Sequence, residues 1–291
     1  MAMVTSKFPC VEIAPNTYEI DEFDCCSLFL IVGTERALVI DTGVGVGDFR
    51  GFVESITTKP YDVVMTHGHT DHMGGAGFFD TLYMHRADWG IFPFPPSVAQ
   101  RTFTTILLSS GRTGLSYPYN LDADVREWPI MPRIKPLEDG QQFPLGGRTV
   151  TAYHTPGHTP GCMMFIDDQS RILFTGDSCN CNFRLFHELG AADFVSIQRA
   201  HAAFQRVLAL EGGAYDADKA FNQHHDYRPF GGGLDPRVMH WAAEALAGLV
   251  DGTAQPEMIP DPLFPNGDKK EAVVCGSVMV FFNRDGIFDP K

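Results

Sequence analysis

Six residues near the end of the first quarter of the chain, His67-Gly-His-Thr-Asp-His72, carry three imidazoles and a carboxylate. Neutral imidazole nitrogen and carboxylate oxygen both suit zinc at about 2.0–2.2 Å, and a tight turn can aim some side chains at one centre and the rest at another. Gly68 relieves crowding within the run. A polar loop of three solvated histidines is the competing reading of these six residues taken alone.

Three later segments also set a ligand-capable side chain just past an apolar run. In His154-Thr-Pro-Gly-His-Thr-Pro-Gly161, Gly157 and Pro160 fix a turn around His158. In Leu173-Phe-Thr-Gly-Asp-Ser178, Gly176 permits close backbone approach beside Asp177. Asn222-Gln-His-His-Asp226 offers His224 and His225, whose side chains point differently at the end of a strand. Any one of these segments carries little by itself. Together, four strand ends facing one way form a coherent ligand set, with His224 preferred and His225 as the alternative.

The elements that must present these loops can be read from apolar patterning. Leu28 to Val32 and Ala37 to Ile40 predict a hairpin through Gly33-Thr-Glu-Arg36, ending at Asp41-Thr42-Gly43. A short amphipathic helix is expected around Asp48 to Ile56. Tyr61 to Met65 then reads as a buried strand delivering the histidine run, with Gly74-Gly75 opening a second helix. From Ala87 to about Pro136 the pattern breaks up, with Phe92-Pro-Phe-Pro-Pro96, Tyr117-Pro-Tyr119 and Trp128-Pro129, and reads as an insertion over the site. Gln142 to Leu145, Thr149 to Tyr153, Cys162 to Ile166 and Arg171 to Phe174 imply a second sheet. Helices are expected over Asp193 to Leu210 and from Asp235-Pro236 onward, and a terminal strand and turn over Ala272 to Gly286. The simplest architecture is an α/β (α+β) fold of two packed sheets with helices outside.

This set of motifs resembles the metallo-β-lactamase superfamily, in its glyoxalase II and lactonase-like branch, over roughly residues 17 to 250 and a final strand. The resemblance implies an αββα sandwich of two mixed β-sheets with helices on the outer faces. It implies one domain over residues 1–291, with an irregular insertion near 87–136, a C-terminal strand segment near 272–288, and the site at one edge of the sheets. It implies two divalent ions, zinc first, with iron or manganese as alternatives. His67, His69 and His158 would hold one ion, Asp71, His72 and the terminal histidine the other, and Asp177 would bridge them. Asp41 would orient a ligating imidazole, a common need in metal sites. His154 reads either as such a support or as an ordinary strand end.

Two ions about 3.5–4 Å apart can hold a shared water and bring its pKa to about 7. The expected chemistry is attack of the resulting hydroxide on an ester, thioester or lactone carbon, with Asp71 orienting the nucleophile and handling its proton. Phe92, Tyr117 and His187 are candidate substrate contacts, and Phe94 and Trp128 could join them. His85, His201 and His240 read as ordinary structural residues.

A chain of 291 residues with 44% hydrophobic side chains can bury a sizeable core, and a formal charge of −14 opposes nucleic-acid binding. A small neutral or hydrophobic substrate is expected, with a homo-oligomer open. No apolar run approaches a membrane span and the N-terminus lacks a signal-peptide pattern, so the expectation is a cytoplasmic protein without membrane attachment. The seven cysteines, two pairs of them too close for ordinary disulfides, read as reduced thiols. Competing functions are small phosphoester hydrolysis, a di-iron oxidoreductase and a non-catalytic metal-binding protein. The di-iron relatives typically carry glutamate where this chain has His69. Antibiotic hydrolysis is not favoured, and Lys269-Lys270 is a meagre basic cluster for gripping a glutathione thioester.

Overall fold

The computed structural model describes residues 4–91, 94–109, 119–185, 195–224, 228–262 and 267–289. Its first half runs β1 (Cys10–Ala14), β2 (Thr17–Asp21), β3 (Ser27–Val32), β4 (Ala37–Ile40), α1 (Phe49–Ile56), β5 (Tyr61–Val64), α2 (Thr70–Met73), β6 (Thr81–Met84), α3 (Val98–Leu108), α4 (Leu121–Asp124) and β7 (Arg133–Pro136). The seven strands form one sheet in chain order, antiparallel from β1 to β4 and parallel from β4 to β7. The second half supplies β8 (Gln142–Pro144), β9 (Thr149–His154), β10 (Met163–Asp167), β11 (Ile172–Phe174), β12 (Asn182–Arg184), α5 (Ile197–Leu208), β13 (Ala220–Phe221), α6 (Val238–Asp251), β14 (Glu257–Ile259), β15 (Lys270–Cys275) and β16 (Val278–Phe281). A five-stranded sheet is ordered β13-β11-β10-β9-β8, and a four-stranded sheet β12-β16-β15-β14.

The layers follow from strand periodicity. Successive side chains alternate between faces, so a strand buried throughout must feed two cores. In β3 and β4, Phe29, Ile31, Leu38 and Ile40 meet Val150, Phe165 and Phe174 of the five-stranded sheet, while Leu28, Leu30, Ala37 and Val39 meet α1 and α3 through Phe49, Val53 and Leu108. The Phe29 and Phe174 rings sit 4.7 Å apart across the inter-sheet seam. The far face of the second sheet packs Met164, Ile166 and Leu173 on Ala200, Phe204 and Val207 of α5 and on Ala242 and Leu246 of α6. Helices therefore cover both outer faces of two mixed sheets, as expected.

Several local expectations change. Gly74 closes α2, its N–H bonding to Thr70 O at the end of the single turn Thr70–Met73, while Gly75 opens only the short 3-10 helix Ala76–Phe78. The last helix begins at Val238 with Arg237 at its cap position, and Asp235 instead takes the Arg237 N–H into a short preceding turn. The terminal strand is a hairpin: Cys275 pairs with Val278 across Gly276-Ser277, and Gly276 takes φ +56°, a region that favours glycine. With β12 and β14 it forms the four-stranded sheet. The segment read as irregular contains α3, α4 and the edge strand β7. No helix among the described residues is long and apolar enough to cross a membrane.

Candidate metal centre

The histidine run begins where β5 ends. Thr66 is the hinge: its carbonyl accepts from Met163 N–H of the second sheet, and its N–H and hydroxyl both donate to Asp41, each at 2.7 Å. His67 follows, fully buried, and the one-turn helix α2 carries Asp71 and His72. Its last carbonyls are taken up locally, His72 O accepting from Thr42 N–H at 2.8 Å and from the Thr42 hydroxyl at 3.0 Å. Gly176, at φ +57°, lets the loop after β11 reach the same place. A Cβ there would lie 2.8 Å from Thr66 Cβ, so any larger residue would push Asp177 away.

Three overlapping groups result: His67, His69 and His158; His67, His72 and Asp177; and Asp71, His72 and His224. Within each, one ligand-type atom per residue lies within 4.8 Å of the others. His158 Nε2 is 3.0 Å from His69 Nδ1. Asp177 reaches toward both ends, with Oδ2 at 3.5 Å from His158 Nε2 and 3.7 Å from His72 Nε2, and Oδ1 at 3.6 Å from His224 Nε2. Asp71 Oδ2 stands 3.5 Å from His72 Nε2 and 3.4 Å from His224 Nε2.

Whether these residues fit metal ions can be tested on their unused atoms. His67 Nε2, His72 Nε2 and Asp177 Oδ1 are buried without a hydrogen-bond partner, an expensive arrangement unless something else ligates them. The opposite ring nitrogens are occupied. His72 Nδ1 meets Asp41 Oδ2 at 3.0 Å and His158 Nδ1 meets Arg184 O at 3.1 Å. Carboxylate and carbonyl oxygens only accept, so each Nδ1 carries a hydrogen, and in the neutral ring that ligation requires Nε2 holds the lone pair. For His67, Nδ1 faces the Thr66 hydroxyl at 3.0 Å; that hydroxyl already donates to Asp41, so it accepts here. Three lone pairs thus point into one space, and the donor set fits divalent metal ions.

The electrostatics divide the cluster. Burial, reinforced by neighbouring imidazoles, holds His67 far below its ordinary value and His69 down to about 3, and burial also lowers His158. Burial opposes protonation of His72 and His224 too, but nearby acidic groups outweigh it. His72 is raised well above 6.5 by Cys26, Asp71 and Asp177, and His224 is raised to about 10 by Asp177 and Asp71. Burial pushes the Cys26 thiol itself strongly upward, so at neutral pH it is uncharged and the aspartates carry the effect. For both aspartates burial works upward, and the His72 and His224 imidazoles override it, holding them well below the usual carboxylate range.

His67, His69, Asp71, His72, His158, Asp177 and His224 therefore come together, and Asp41 lies directly behind His72. His154 does not join them. Its ring stacks on His85 at 4.0 Å and its Nε2 contacts Pro160 O at 2.9 Å, bracing the His158 turn from outside. Of the aromatic residues, Trp128 donates to Gly74 O at 2.6 Å and packs edge-on against Phe94, so these two serve the insertion's own packing beside α2. Phe92, Tyr117, His187 and His225 lie outside the described residues. Sequence reading missed Thr66, Arg184 and Asp88. Thr66 adjoins the motif and was within reach; the Arg184 carbonyl and the Asp88 carboxylate announce themselves only through tertiary contacts.

The family model described as the metallo-beta-lactamase superfamily matches residues 23–179. Among curated relatives, the chain is 29% identical over 163 residues to a human acyl-coenzyme A thioesterase, covering 52% of this chain and 57% of that one. It is 31% identical over 153 residues to an atrochrysone carboxyl ACP thioesterase of Aspergillus fumigatus, covering 51% and 28%. A lactamase-like protein of Pestalotiopsis fici is 30% identical over 153 residues, covering 51% and 38%. The match thus spans well under two thirds of these relatives' length. Among solved structures, a sec-alkylsulfatase from a Pseudomonas species superposes with TM-score 0.56 at 16% identity, covering 84% of this chain and 42% of that one. A metallo-beta-lactamase from Pontibacter korlensis gives 0.51 at 18%, covering 83% and 99%. These two likenesses concern the fold alone.

Proposed function

The chain belongs to the metallo-β-lactamase superfamily, and from that premise we propose that it is a metal-dependent hydrolase of acyl bonds, thioesters ahead of lactones and simple esters. The observation that carries this reading is the convergence of His67 Nε2, His72 Nε2 and Asp177 Oδ1, buried and without a hydrogen bond, on a space bordered by side chains that solvent still reaches. His158, Asp177, Asp71 and His224 retain 10–18% of their side-chain exposure, whereas His72 retains none. One side of the cluster is sealed by protein, and the other keeps contact with solvent.

In this reading His67, His69 and His158 hold one ion, Asp71, His72 and His224 a second, and Asp177 lies between. Zinc is the proposed metal, with iron and manganese as the alternatives. Bound there, divalent ions would supply a water acidified to about pKa 7 and a Lewis acid for the carbonyl oxygen. The protein's own part is orientation. Asp41 and Thr66 lock the His67 and His72 rings, and the Arg184 carbonyl locks His158, so the ligands need not reorganise during the reaction. Asp71, partly exposed at the edge of the cluster, suits an acceptor that aims the attacking water and passes its proton onward. The acidic chain favours a small substrate with an apolar acyl part over nucleic acid. Thioesters stand first because two of the relatives named above are acyl thioesterases.

Elemental analysis coupled to a panel of acyl thioesters, lactones, aryl esters and aryl phosphodiesters tests this reading. Thioester turnover that depends on bound metal is the expected result. Turnover confined to phosphodiesters, or full activity after chelation, would replace it.

A further inference from the structure

Outside the ligand set, one carboxylate touches both loops that furnish the first group of histidines. Asp88 closes the short 3-10 turn Arg86–Asp88 after β6 and is 3% exposed. Its Oδ2 accepts from Gly68 N–H at 2.9 Å and from the Thr159 hydroxyl at 2.7 Å, and its Oδ1 accepts from Gly161 N–H at 2.6 Å. Gly68 stands between His67 and His69, Thr159 follows His158, and Gly161 ends the same turn. The fit leaves no slack: a Cβ on Gly161 would come within 2.6 Å of the Asp88 carboxyl, and one on Gly68 within 3.0 Å of the Asp88 carbonyl oxygen.

Two loops far apart in the chain are thus tied to a single rigid anion. Three charge-assisted bonds, two of them to main-chain N–H groups, hold the loops more strongly than neutral hydrogen bonds would. Without that carboxylate, buried N–H donors at Gly68 and Gly161 would lack an acceptor, and the loops would separate to find water. His67 and His69 would then drift relative to His158.

We infer that Asp88 is a positioning residue that sets the spacing of His67, His69 and His158, and so the affinity and coordination geometry of the first ion. The inference rests on the reading of the cluster as a metal centre. It also gives the segment after β6 a role in the site that does not depend on substrate.

The test uses Co(II) as probe with the full-length wild type, Asp88→Asn and Thr159→Val. Asn keeps the size of the side chain but presents an NH2 group to donors on one side; Thr159→Val removes one of the three bonds. Visible absorption of bound Co(II) and chelator-competition titrations report geometry and affinity without any assay of activity. Asp88→Asn should weaken the first site about 10- to 100-fold, the usual consequence of losing a partner behind the ligands, with a changed Co(II) spectrum and the second site retained. Thr159→Val should shift both readouts in the same direction by less. Wild-type affinity and spectrum in folded Asp88→Asn would overturn the inference. If Asp88→Asn fails to fold, an unchanged Thr159→Val would overturn it instead. A wild type that binds no Co(II) would remove the metal-centre reading itself, a failure separate from the other two.

Discussion

Asp41 Oδ2 lies 3.0 Å from His72 Nδ1 with both side chains fully buried, and the same carboxylate takes the Thr66 N–H and hydroxyl. One anion therefore holds the end of β5 and the first turn after it. Asp41→Asn keeps the volume but cannot accept from three donors at once. The variant should bind its second metal about 10- to 100-fold more weakly. Asp41→Ala should in addition lose about 1–3 kcal/mol of stability for each buried donor left unpaired. Metal titration of the first variant and thermal unfolding of the second check these values; unchanged metal affinity in Asp41→Asn would remove Asp41 from the machinery of the site.

Asp71→Ala addresses the chemistry more directly. The side chain is partly exposed and helix α2 does not depend on it for a cap, so the fold should persist. Turnover should fall by about 10²–10⁴, the span associated with a positioned proton-handling group. Steady-state kinetics alongside metal content separate the two ways this can happen. Loss of turnover with both ions retained assigns Asp71 to the reaction, and loss of one ion assigns it to ligation. Wild-type turnover would contradict both roles.

Much of the centre was legible because its ligands are packed into short runs at strand ends. His67 to His72 is local, so residue type and spacing suffice; Asp177 and His158 each follow an apolar strand. The choice between His224 and His225 was different, since local alternation says only that the two diverge. Which one faces the cluster depends on how β13 docks beside β11; His224 meets Asp71 and Asp177, and His225 lies outside the described residues. Asp88 left no trace in the sequence because its partners, Gly68, Thr159 and Gly161, are brought to it by the packing of two sheets. Gly74 was misread for a simpler reason: glycine marks either boundary of a helix, and only the Gly74 N–H bond to Thr70 O reveals it as the closing one. The terminal hairpin hid in the same way, its two-residue turn lying inside a continuous apolar pattern.

Protonation of the cluster should be visible when ions bind. After chelator treatment, His72 is raised well above 6.5 and His224 to about 10, so both rings carry protons at pH 7. Ligation requires neutral imidazole, so binding must expel them. Calorimetric titration with Zn(II) in buffers of different ionisation enthalpy should reveal release of about two protons per protein, and apparent affinity should rise with pH through the neutral range. The sign for folding is opposite. A histidine raised from 6.5 to about 10 adds stability in full below pH 6.5 and loses it as pH climbs toward 10. Metal-stripped protein should therefore lose part of its stability between those values, while saturating metal reverses the trend. Binding heats independent of buffer would rule this out.

The residues leading into His224 are held by a buried ion pair. Arg228 Nη2 lies 2.7 Å from Glu19 Oε1, both side chains being wholly buried, and donates to Asn222 O at 2.6 Å while Nε donates to Asn222 Oδ1 at 3.0 Å. Glu19 also takes the Ser27 hydroxyl at 2.8 Å and Gly231 N–H at 2.8 Å, and Ser27 N–H bonds to Gln223 O at 2.6 Å. The residues leading into His224 are thus clamped between β2, β3 and a buried cation. Arg228→Met removes one charge of the pair and strands the other, which should cost about 3–5 kcal/mol. Replacing both partners with methionine should cost less than the sum of the single changes, because no buried charge is then left alone. Denaturant unfolding of the two single variants and the double variant measures the coupling. Strict additivity would mean that the pair is electrostatically idle. A coupled pair with undiminished second-site metal affinity in Arg228→Met would instead confine it to stability, with no part in holding His224 in place.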